Sequence, residues 1–372
     1  MNFSIQQSVF HRALQQVSRA VSTSNTMPIL SGILLEGDEE GDLKLTATDL
    51  ELGIVLKVGA DIENSGRIVL PGNELSSIIR ELPRDTIQVE IDEDDYSARI
   101  TTESSDFTLR GFKPEEFPEL PQVEEFTELS LAADIFVDMI DKVKFSCSKK
   151  DSQPGLTGAL LTVDSDLVEM VATNTFRMAY FKENIDLDVE EKKRAIIPAS
   201  TLDELSRLID ADEDEDVKLE LGSSHCRFEY GDITVTSRLI EGKFPNYEQV
   251  MPDDFSAEIR VTRTALQQAV KRVATIARLD SNVIELDFDD DLLKIESTAS
   301  EKGHGQEEVP IEMEGKPQNI KIDASYMMDG LKVLDDDEVR IELIGSVNPL
   351  TIKNPDSESY IYLIMPIRPD SE

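Results

Sequence analysis

Two runs of acidic residues have the clearest potential for metal chemistry in this sequence. They lie at residues 212–216 (DEDED) and 335–338 (DDDE), and carboxylates are ligands that calcium and magnesium prefer. Neither run has the ligand spacing or the central glycine of an EF-hand loop. The sequence contains a repeated unit, and each run lies between a helix and a strand of one copy of it. Another copy has Pro83-Arg84-Asp85 at the same place. The runs are therefore interpreted as solvated turns, and we expect no metal and no other cofactor.

The three histidines, His11, His225 and His304, occupy unrelated positions in that repeat, which argues against a shared catalytic or metal-binding role. Residues 303–305 (GHG) lack the spacing and the strand-to-helix context of a phosphate-binding loop. The G-x-S-x-G, H-E-x-x-H and Walker patterns do not occur. We therefore expect a protein that is not an enzyme, and an enzyme with an unrecognised site is the weakest alternative.

Length and composition predict a globular protein of two or three domains. The chain has 372 residues, of which 40% are hydrophobic, so it can form several cores despite a formal net charge of -39. Neither a signal peptide nor an apolar run long enough to span a membrane is evident, and we expect a cytoplasmic protein. Cys147 and Cys226 lie far apart and outside any C-x-x-C pair, which favours reduced thiols over a disulfide or a zinc site.

One structural unit is repeated three times, at intervals of about 125 residues. Each copy begins with an amphipathic helix whose apolar residues recur at spacings of three and four. These residues are Phe10, Leu14 and Val17; Phe136, Ile140 and Val143; and Leu266, Val270 and Val273. Short β-rich runs then match at 43–48, 168–173 and 292–297.

A strand that leads into a second helix comes next in each copy, at 68–75, 195–202 and 320–327, and a closing hairpin follows. Four features in the same order predict an α+β fold of three domains, each with two helices on an antiparallel sheet in the order β-α-β-β-β-α-β-β-β. The predicted domains are residues 1–127, 128–254 and 255–372.

Basic residues are concentrated in the six predicted helical segments. Those segments hold 14 Lys or Arg against 9 Asp or Glu, whereas the other 288 residues hold 23 against 67. The segments are 8–20, 72–84, 134–150, 199–210, 262–279 and 324–334. If these helices share one face, that face attracts a DNA backbone while the acidic exterior repels it, without reading the base sequence. The alternative is that Lys and Arg are simply good helix formers.

Several segments along the whole chain resemble the bacterial DNA polymerase III beta subunit family, the sliding clamps. They are Leu14-Gln15-Gln16-Val17, Met27-Pro28-Ile29-Leu30, residues 46–51 (TATDLE), residues 171–179 (VATNTFRMA), residues 242–247 (GKFPNY) and residues 362–368 (YLIMPIR). The resemblance implies that two three-domain subunits associate head to tail as a homodimer. It further implies a six-domain ring that encircles double-stranded DNA without sequence specificity and makes the replicative polymerase processive.

The resemblance also implies the functional residues. The subunit contact falls on Phe107, Leu109, Thr275 and Ile276, with Glu301, Glu307 and Glu308 nearby. Ser104 and Asp106 stand where some members have arginines, so an ionic contribution to dimer closure is in doubt. DNA contacts are expected at Lys149, Lys150, Arg19 and Asn25, and the basic helices add Arg12, Arg263, Lys271, Arg272 and Arg278. Ser24 replaces an arginine of the family near the first helix.

A pocket for short peptides from polymerases, the clamp loader and repair proteins is the family's partner site. By resemblance it is formed by Leu156, Thr173, Thr175, Phe176, Arg177, Met178, Pro245, Val250, Leu363, Met365, Pro366, Ile367 and Arg368. Exposed Met, Leu and Ile beside a few polar groups suit such a groove. Phe176, Gln153 and Gln249 replace more polar residues of the family, so we expect a less polar rim. The rival hypothesis from another class is a repeat scaffold that binds only proteins.

Overall fold

In the part of the chain that the structure describes, the first repeat contains two α-helices and nine strands. The structure is a computed structural model that describes residues 1–24, 27–38, 41–150, 152–252, 254–300 and 302–367. The elements of the first repeat are β1 (Asn2–Gln6), α1 (Gln7–Val17), β2 (Gly32–Gly37), β3 (Asp42–Thr48), β4 (Leu52–Gly59), β5 (Asp61–Asn64), β6 (Gly66–Pro71), α2 (Gly72–Glu81), β7 (Thr86–Asp92), β8 (Ser97–Thr101) and β9 (Asp106–Arg110).

The second and third repeats follow the same plan. The second consists of β10 (Thr127–Ala132), α3 (Ala133–Val143), β11 (Gly158–Asp164), β12 (Leu167–Thr173), β13 (Arg177–Glu183), β14 (Lys193–Pro198), α4 (Ala199–Leu208), β15 (Asp216–Leu221), β16 (His225–Tyr230) and β17 (Ile233–Arg238). The third consists of β18 (Ala257–Thr262), α5 (Arg263–Ala277), β19 (Val283–Asp289), β20 (Leu292–Ala299), β21 (Gly303–Pro310), β22 (Glu312–Gly315), β23 (Gln318–Asp323), α6 (Ala324–Lys332), β24 (Glu338–Leu343), β25 (Leu350–Lys353) and β26 (Tyr360–Ile364).

The predicted α+β fold of three repeats with antiparallel sheets is confirmed, and so are the apolar helix faces. All nine predicted face residues, from Phe10 to Val273, are buried. The predicted strand number is wrong, because four or five strands rather than three lie between the helices of each repeat. The predicted helical segments are also too long at their C-termini. For example, α3 ends at Val143, and Lys149 and Lys150 follow it outside the helix.

One predicted alignment between the repeats is shifted by one residue. Leu43 and Val168 point into the core, but their match in the third repeat is Leu293, which is fully buried, and not Leu292. Successive side chains of a strand point to opposite faces, so a shift of one residue exchanges the core face for the solvent face.

By its internal contacts the chain divides into two compact units, each of which contains two sheets. Unit 1 comprises residues 1–137 and 200–239. Its sheets have the strand orders β5-β1-β7-β8-β9 and β10-β15-β16-β17-β4-β3-β2-β6. Unit 2 comprises residues 138–199 and 240–372. Its sheets have the orders β14-β11-β12-β13-β26-β25-β24-β18-β22 and β21-β20-β19-β23.

Strands of neighbouring repeats pair within each unit, and these pairs are called junctions. In the first junction, β4 of the first repeat pairs antiparallel with β17 of the second, and Ile54 lies opposite Val235. In the second junction, β13 of the second repeat pairs with β26 of the third, and Ala179 lies opposite Tyr362. Each junction makes one continuous sheet from two repeats, which explains why contacts do not divide the chain at repeat boundaries.

Candidate functional site

An apolar pocket of about 210 Å³ lies at the second junction, on the sheet face opposite the buried Ala179 and Tyr362 side chains. Its lining residues come from β12, β13, β26 and the segment that follows Phe244. They are Thr173, Thr175, Arg177, Met178, Pro245, Asn246, Tyr247, Val250, Leu363 and Met365. Met178 and Leu363 lie opposite each other in the strand pair and form the apolar floor.

The turn between β12 and β13 shapes one wall of this pocket. The Asn174 side-chain oxygen accepts hydrogen bonds from the backbone N–H groups of Phe176 and Arg177, both at 3.0 Å. The Thr173 hydroxyl donates to the Arg177 carbonyl at 2.7 Å. Between them, Thr175 has a left-handed backbone with a φ of 75°, a conformation that is costly for a β-branched residue. Side-chain hydrogen bonds therefore maintain a strained turn at the pocket rim.

Arg177 is held in one orientation by groups from two other segments of unit 2. Its guanidinium donates to Asp329 at 2.7 Å and to the carbonyl of Phe145. The same group stacks over the Tyr326 ring, 4.6 Å from the ring centroid. Only 8% of Arg177 is exposed, so these partners fix the side chain rather than leaving it free in solvent.

Beside the pocket, on the same sheet face, a buried carboxylate orients two tyrosines. The Tyr180 hydroxyl donates to Glu169 at 2.5 Å, and the Tyr247 hydroxyl donates to the other carboxylate oxygen at 3.4 Å. Burial, together with the charge of Glu169, raises the pKa of Tyr247 to about 12. Tyr247 therefore stays protonated and presents its ring to the pocket.

Eight of the thirteen residues predicted for the pocket line it. Of the others, Leu156 is buried, Phe176 is 57% exposed, and Ile367 is 38% exposed and donates its backbone N–H to Lys321. Pro366 does not line the pocket, and Arg368 lies outside the described residues. Sequence reasoning missed Asn246 and Tyr247, although both directly follow the Phe-Pro pair that it used.

A polar groove of about 510 Å³ adjoins this pocket and shares Thr175 and Arg177 with it. Phe176, Lys149, Lys150 and Gln153 also line the groove, and both lysines are exposed. The residues predicted to bind DNA after α3 and those predicted to bind peptides are thus neighbours within unit 2.

A second groove, of about 690 Å³, lies at the first junction in unit 1. Its walls carry charged side chains, namely Glu36, Lys44, Arg67, Glu115, Glu119 and Arg227. Leu120 lies directly over β4, because a Cβ atom added at Gly53 would be only 2.5 Å from the Leu120 side chain. We call this site the junction groove of unit 1.

The predicted DNA-contacting residues of α1 line a cleft in unit 1. Arg12 and Arg19 lie there beside Arg207. Arg19 and Arg207 both donate to Glu204, at 2.8 Å each, so this carboxylate partly neutralises the two cations. Asn25 lies outside the described residues.

The basic residues of α5 differ in how strongly they are bound within the subunit. The Arg263 guanidinium donates to the Asp336 carbonyl at 2.7 Å. Arg272 forms a two-bond ion pair with Glu307, with both distances 2.8 Å. Lys271 and Arg278 are exposed at the helix surface.

The predicted subunit-contact residues lie at two sheet edges. Phe107, which is 43% exposed, and the half-buried Leu109 are on β9, the last strand of its sheet. Ile276 of α5 lies beside β21, which is also a terminal strand, and Thr275 precedes it. On β9, Asp106 accepts two hydrogen bonds from Arg99, which hold the pKa of that carboxyl below its usual value.

The groups considered for metal chemistry do not cluster. No set of three His, Cys, Asp or Glu residues suited to a metal occurs among the described residues. Cys147 and Cys226 are both buried and are not joined in a disulfide. Within the same part of the chain, no helix is both long and apolar enough to cross a membrane.

Comparison with known proteins identifies the family of the three repeats. Residues 1–121, 130–246 and 248–368 match the family models for the N-terminal, central and C-terminal domains of the DNA polymerase III beta subunit. The chain is 32% identical to the beta sliding clamp of Staphylococcus aureus over 378 aligned residues, which cover 99% of each protein.

Solved structures agree with this assignment. The DNA polymerase sliding clamp of Bacillus subtilis is 30% identical, covers 99% of both chains and has a TM-score of 0.93. The Pseudomonas aeruginosa sliding clamp bound to griselimycin is also 30% identical, with a TM-score of 0.94, and the match covers 99% of this chain and 100% of that one.

Proposed function

This chain belongs to the DNA polymerase III beta subunit family, and from that premise we propose how its own residues perform the work of a sliding clamp. A sliding clamp is a non-catalytic processivity factor: it links a polymerase to DNA by topology rather than by tight binding. Tethering raises the effective concentration of the polymerase at the DNA, so a mobile contact suffices. The three-repeat fold with its two sheet junctions is the observation that carries this proposal.

The ring is proposed to consist of two subunits, joined by the same kind of junction that joins repeats within one chain. β4 and β13 each pair with the last strand of the following repeat, whereas the matching strand of the third repeat, β21, is a terminal strand. β9, the last strand of the first repeat, is terminal as well. A head-to-tail contact between β21 of one copy and β9 of another would use both edges and close after two copies.

DNA is proposed to lie against the helices through contacts with its phosphates. Arg12, Lys271, Arg278 and the two lysines after α3 supply positive charge that would attract the phosphates of any DNA sequence. Arg19, Arg263 and Arg272 contribute less, because each already donates to an oxygen of its own subunit. We also propose a cytoplasmic location, where a clamp would meet chromosomal DNA. The domains are proposed to be residues 1–127, 128–254 and 255–372.

The apolar pocket is proposed to bind the short peptides by which the polymerase, the clamp loader and repair proteins attach. Met178, Leu363 and Met365 offer an apolar surface that adapts to different side chains. Arg177 and Asn246 add polar groups to the lining. Strong binding therefore requires a peptide with apolar anchors and few charges on the buried side.

The clamp function is tested on circular DNA. We expect a ring assembled by its clamp loader to remain on a nicked circle through gel filtration and to be lost after the circle is cut once. Equal retention on circular and linear DNA would instead support the protein-binding scaffold.

The pocket assignment is tested by Met365→Ala combined with Leu363→Ala. We expect weaker binding of a labelled clamp-binding peptide from the replicative polymerase, while sedimentation still shows a dimer. An unchanged peptide dissociation constant in the folded variant would refute the assignment.

A further inference from the structure

The 244–250 segment supplies four of the ten residues that line the apolar pocket, namely Pro245, Asn246, Tyr247 and Val250. Every residue of this segment is described, and Tyr247 alone among them is buried, with 5% of its surface exposed. Its ring lies in the apolar cluster that includes the pocket floor, 6.0 Å from the Tyr180 ring. The Met251 N–H donates to the Glu248 carbonyl at 3.3 Å, which shapes the turn without joining it to the sheet. The Tyr247 side chain therefore attaches this part of the pocket wall to the sheet.

A buried carboxylate holds the polar end of that side chain. Glu169 of β12 is 9% exposed, and its two oxygens accept hydrogen bonds from Tyr180 at 2.5 Å and from Tyr247 at 3.4 Å. A buried charge costs free energy unless hydrogen bonds compensate it, so the carboxylate and the two hydroxyls hold one another in place. Glu169 is not itself a lining residue, and its contact with the pocket wall runs through Tyr247.

The first junction lacks this arrangement at its matching positions. In the order Glu169, Tyr180 and Tyr247, the matching residues are Lys44, Val55 and Leu120. Lys44 instead forms an ion pair with Glu36 at 2.9 Å. Because the matching strands pair at both junctions, the fold itself requires neither the carboxylate nor the two hydroxyls. The group is thus specific to the junction that forms the apolar pocket.

We propose that Glu169 is a positioning residue of the peptide pocket, which holds the 244–250 segment in its binding geometry through the Tyr247 hydroxyl. A wall that is ordered before the peptide arrives loses less conformational entropy on binding, so peptide affinity is higher. Glu169 thereby raises affinity without touching the peptide. This role rests on the proposed peptide site and adds the residue that prepares it.

A double-mutant cycle tests whether Glu169 acts through Tyr247, with the full chain and the labelled clamp-binding peptide in fluorescence polarisation. Glu169→Leu removes both acceptor oxygens, and Tyr247→Phe keeps the ring but removes the hydroxyl. Each should weaken binding about fivefold, as expected for one hydrogen bond. The combined variant should lose no more than either alone, because the same interaction is removed in both. Unchanged affinity in folded Glu169→Leu, or a loss of about twenty-five-fold in the combined variant, would overturn the role.

Hydrogen exchange separates positioning from a general loss of stability. In the free protein, the amides of residues 244–251 should exchange at least about threefold faster in both single variants, while the strands of the sheet keep their wild-type protection. Thr162→Val is the matched control. Thr162 lies opposite Glu169 on the same sheet face, and its buried hydroxyl has no hydrogen-bond partner among the described residues. This control should leave both exchange and peptide affinity unchanged.

Tyr247→Phe carries the test alone if Glu169→Leu does not fold, because the phenylalanine keeps its ring in the apolar cluster. Wild-type affinity together with wild-type exchange in folded Tyr247→Phe would overturn the role. A wild-type chain that does not bind the peptide would refute the pocket assignment instead, and the exchange comparison would still test the positioning of the segment.

Discussion

The two junctions pair matching strands of the repeats, β4 with β17 and β13 with β26, yet the groove at the first is lined by charged side chains and the pocket at the second is apolar. Met178 and Leu363 form the floor at the second junction, and the matching residues at the first are Gly53 and Thr236. Tyr247 lines the apolar pocket, whereas Leu120, which matches it in sequence, lies over Gly53 and covers the strand.

This difference shows that the fold supplies a groove at each junction and that the side chains decide what the groove can bind. The junction groove of unit 1 is the larger of the two, at about 690 Å³ against about 210 Å³, but it is lined by Lys44, Arg67 and other charged residues. Apolar anchors of a peptide would displace water from those charges without replacing their hydrogen bonds. Size alone therefore does not identify the partner site.

The largest effect on peptide binding is expected when the two floor residues of the apolar pocket are replaced by the residue types at the matching positions of the first junction. Met178→Gly with Leu363→Thr gives the pocket floor the smaller side chains found at the first junction. We expect peptide affinity to fall by at least about a hundredfold, measured by fluorescence polarisation. A melting curve checks that the variant is folded, since it also creates a cavity in the core. If the folded variant bound the peptide with full affinity, the floor side chains would not explain the difference between the two junctions.

A smaller effect is expected from Arg177, whose match at the first junction is Leu52. Arg177→Ala removes the 2.7 Å ion pair with Asp329, which keeps only its 3.5 Å contact with Lys332, and should destabilise the protein by about 2 kcal/mol. Peptide affinity should fall by about tenfold, because the pocket wall loses its anchor. Arg177→Lys keeps the charge but not the stacking on Tyr326, so its peptide affinity should lie between those of the wild type and Arg177→Ala. Leu52→Ala is the matched control and should leave peptide affinity unchanged.

Alkaline pH should distinguish the units because of their tyrosines. Burial raises the pKa of Tyr180, Tyr247, Tyr360 and Tyr362 in unit 2, that of Tyr247 to about 12. A tyrosine whose pKa is higher in the folded than in the unfolded chain stabilises the fold fully below pH 10, and this contribution is lost as the pH rises from 10 to 12. We expect proteolysis in this range to cut unit 2 first.

Tyr247→Phe gives the control for that measurement. Between pH 10 and 12 this variant should lose less free energy of unfolding than the wild type, because it lacks one of the ionising tyrosines. Earlier cleavage of unit 1, in which burial raises the pKa of Tyr230 and of Cys226, would contradict the assignment.

The smallest effect concerns the two turns that precede the junction strands. Leu50 and Thr175 are matched residues with φ of 80° and 75°. Replacing either with Gly should relieve strain and stabilise the protein by at most about 1 kcal/mol, with the larger gain at the β-branched Thr175. Urea unfolding measures both. A loss of stability at both sites would mean that the side chains contribute more contact energy than the strain costs.

The sequence by itself determined the repeated architecture, the inward helix faces and the family. Helix periodicity is a local property, so Phe10, Leu14 and Val17 could be assigned to the core without knowledge of their neighbours. The strand count and the match of Leu293 were wrong, because short strands have weak local signals and a period of two does not specify register.

Only the tertiary structure decided which strands pair between repeats and which groups surround the pocket. Arg177 meets Asp329 and Tyr326 about 150 residues along the chain, and Tyr247 meets Glu169 beside the pocket. Such contacts depend on how sheets join, and sequence spacing carries no information about them. The same physical reason separates the two junctions: their backbones are alike, and the side chains brought onto them from distant segments make one groove charged and the other apolar.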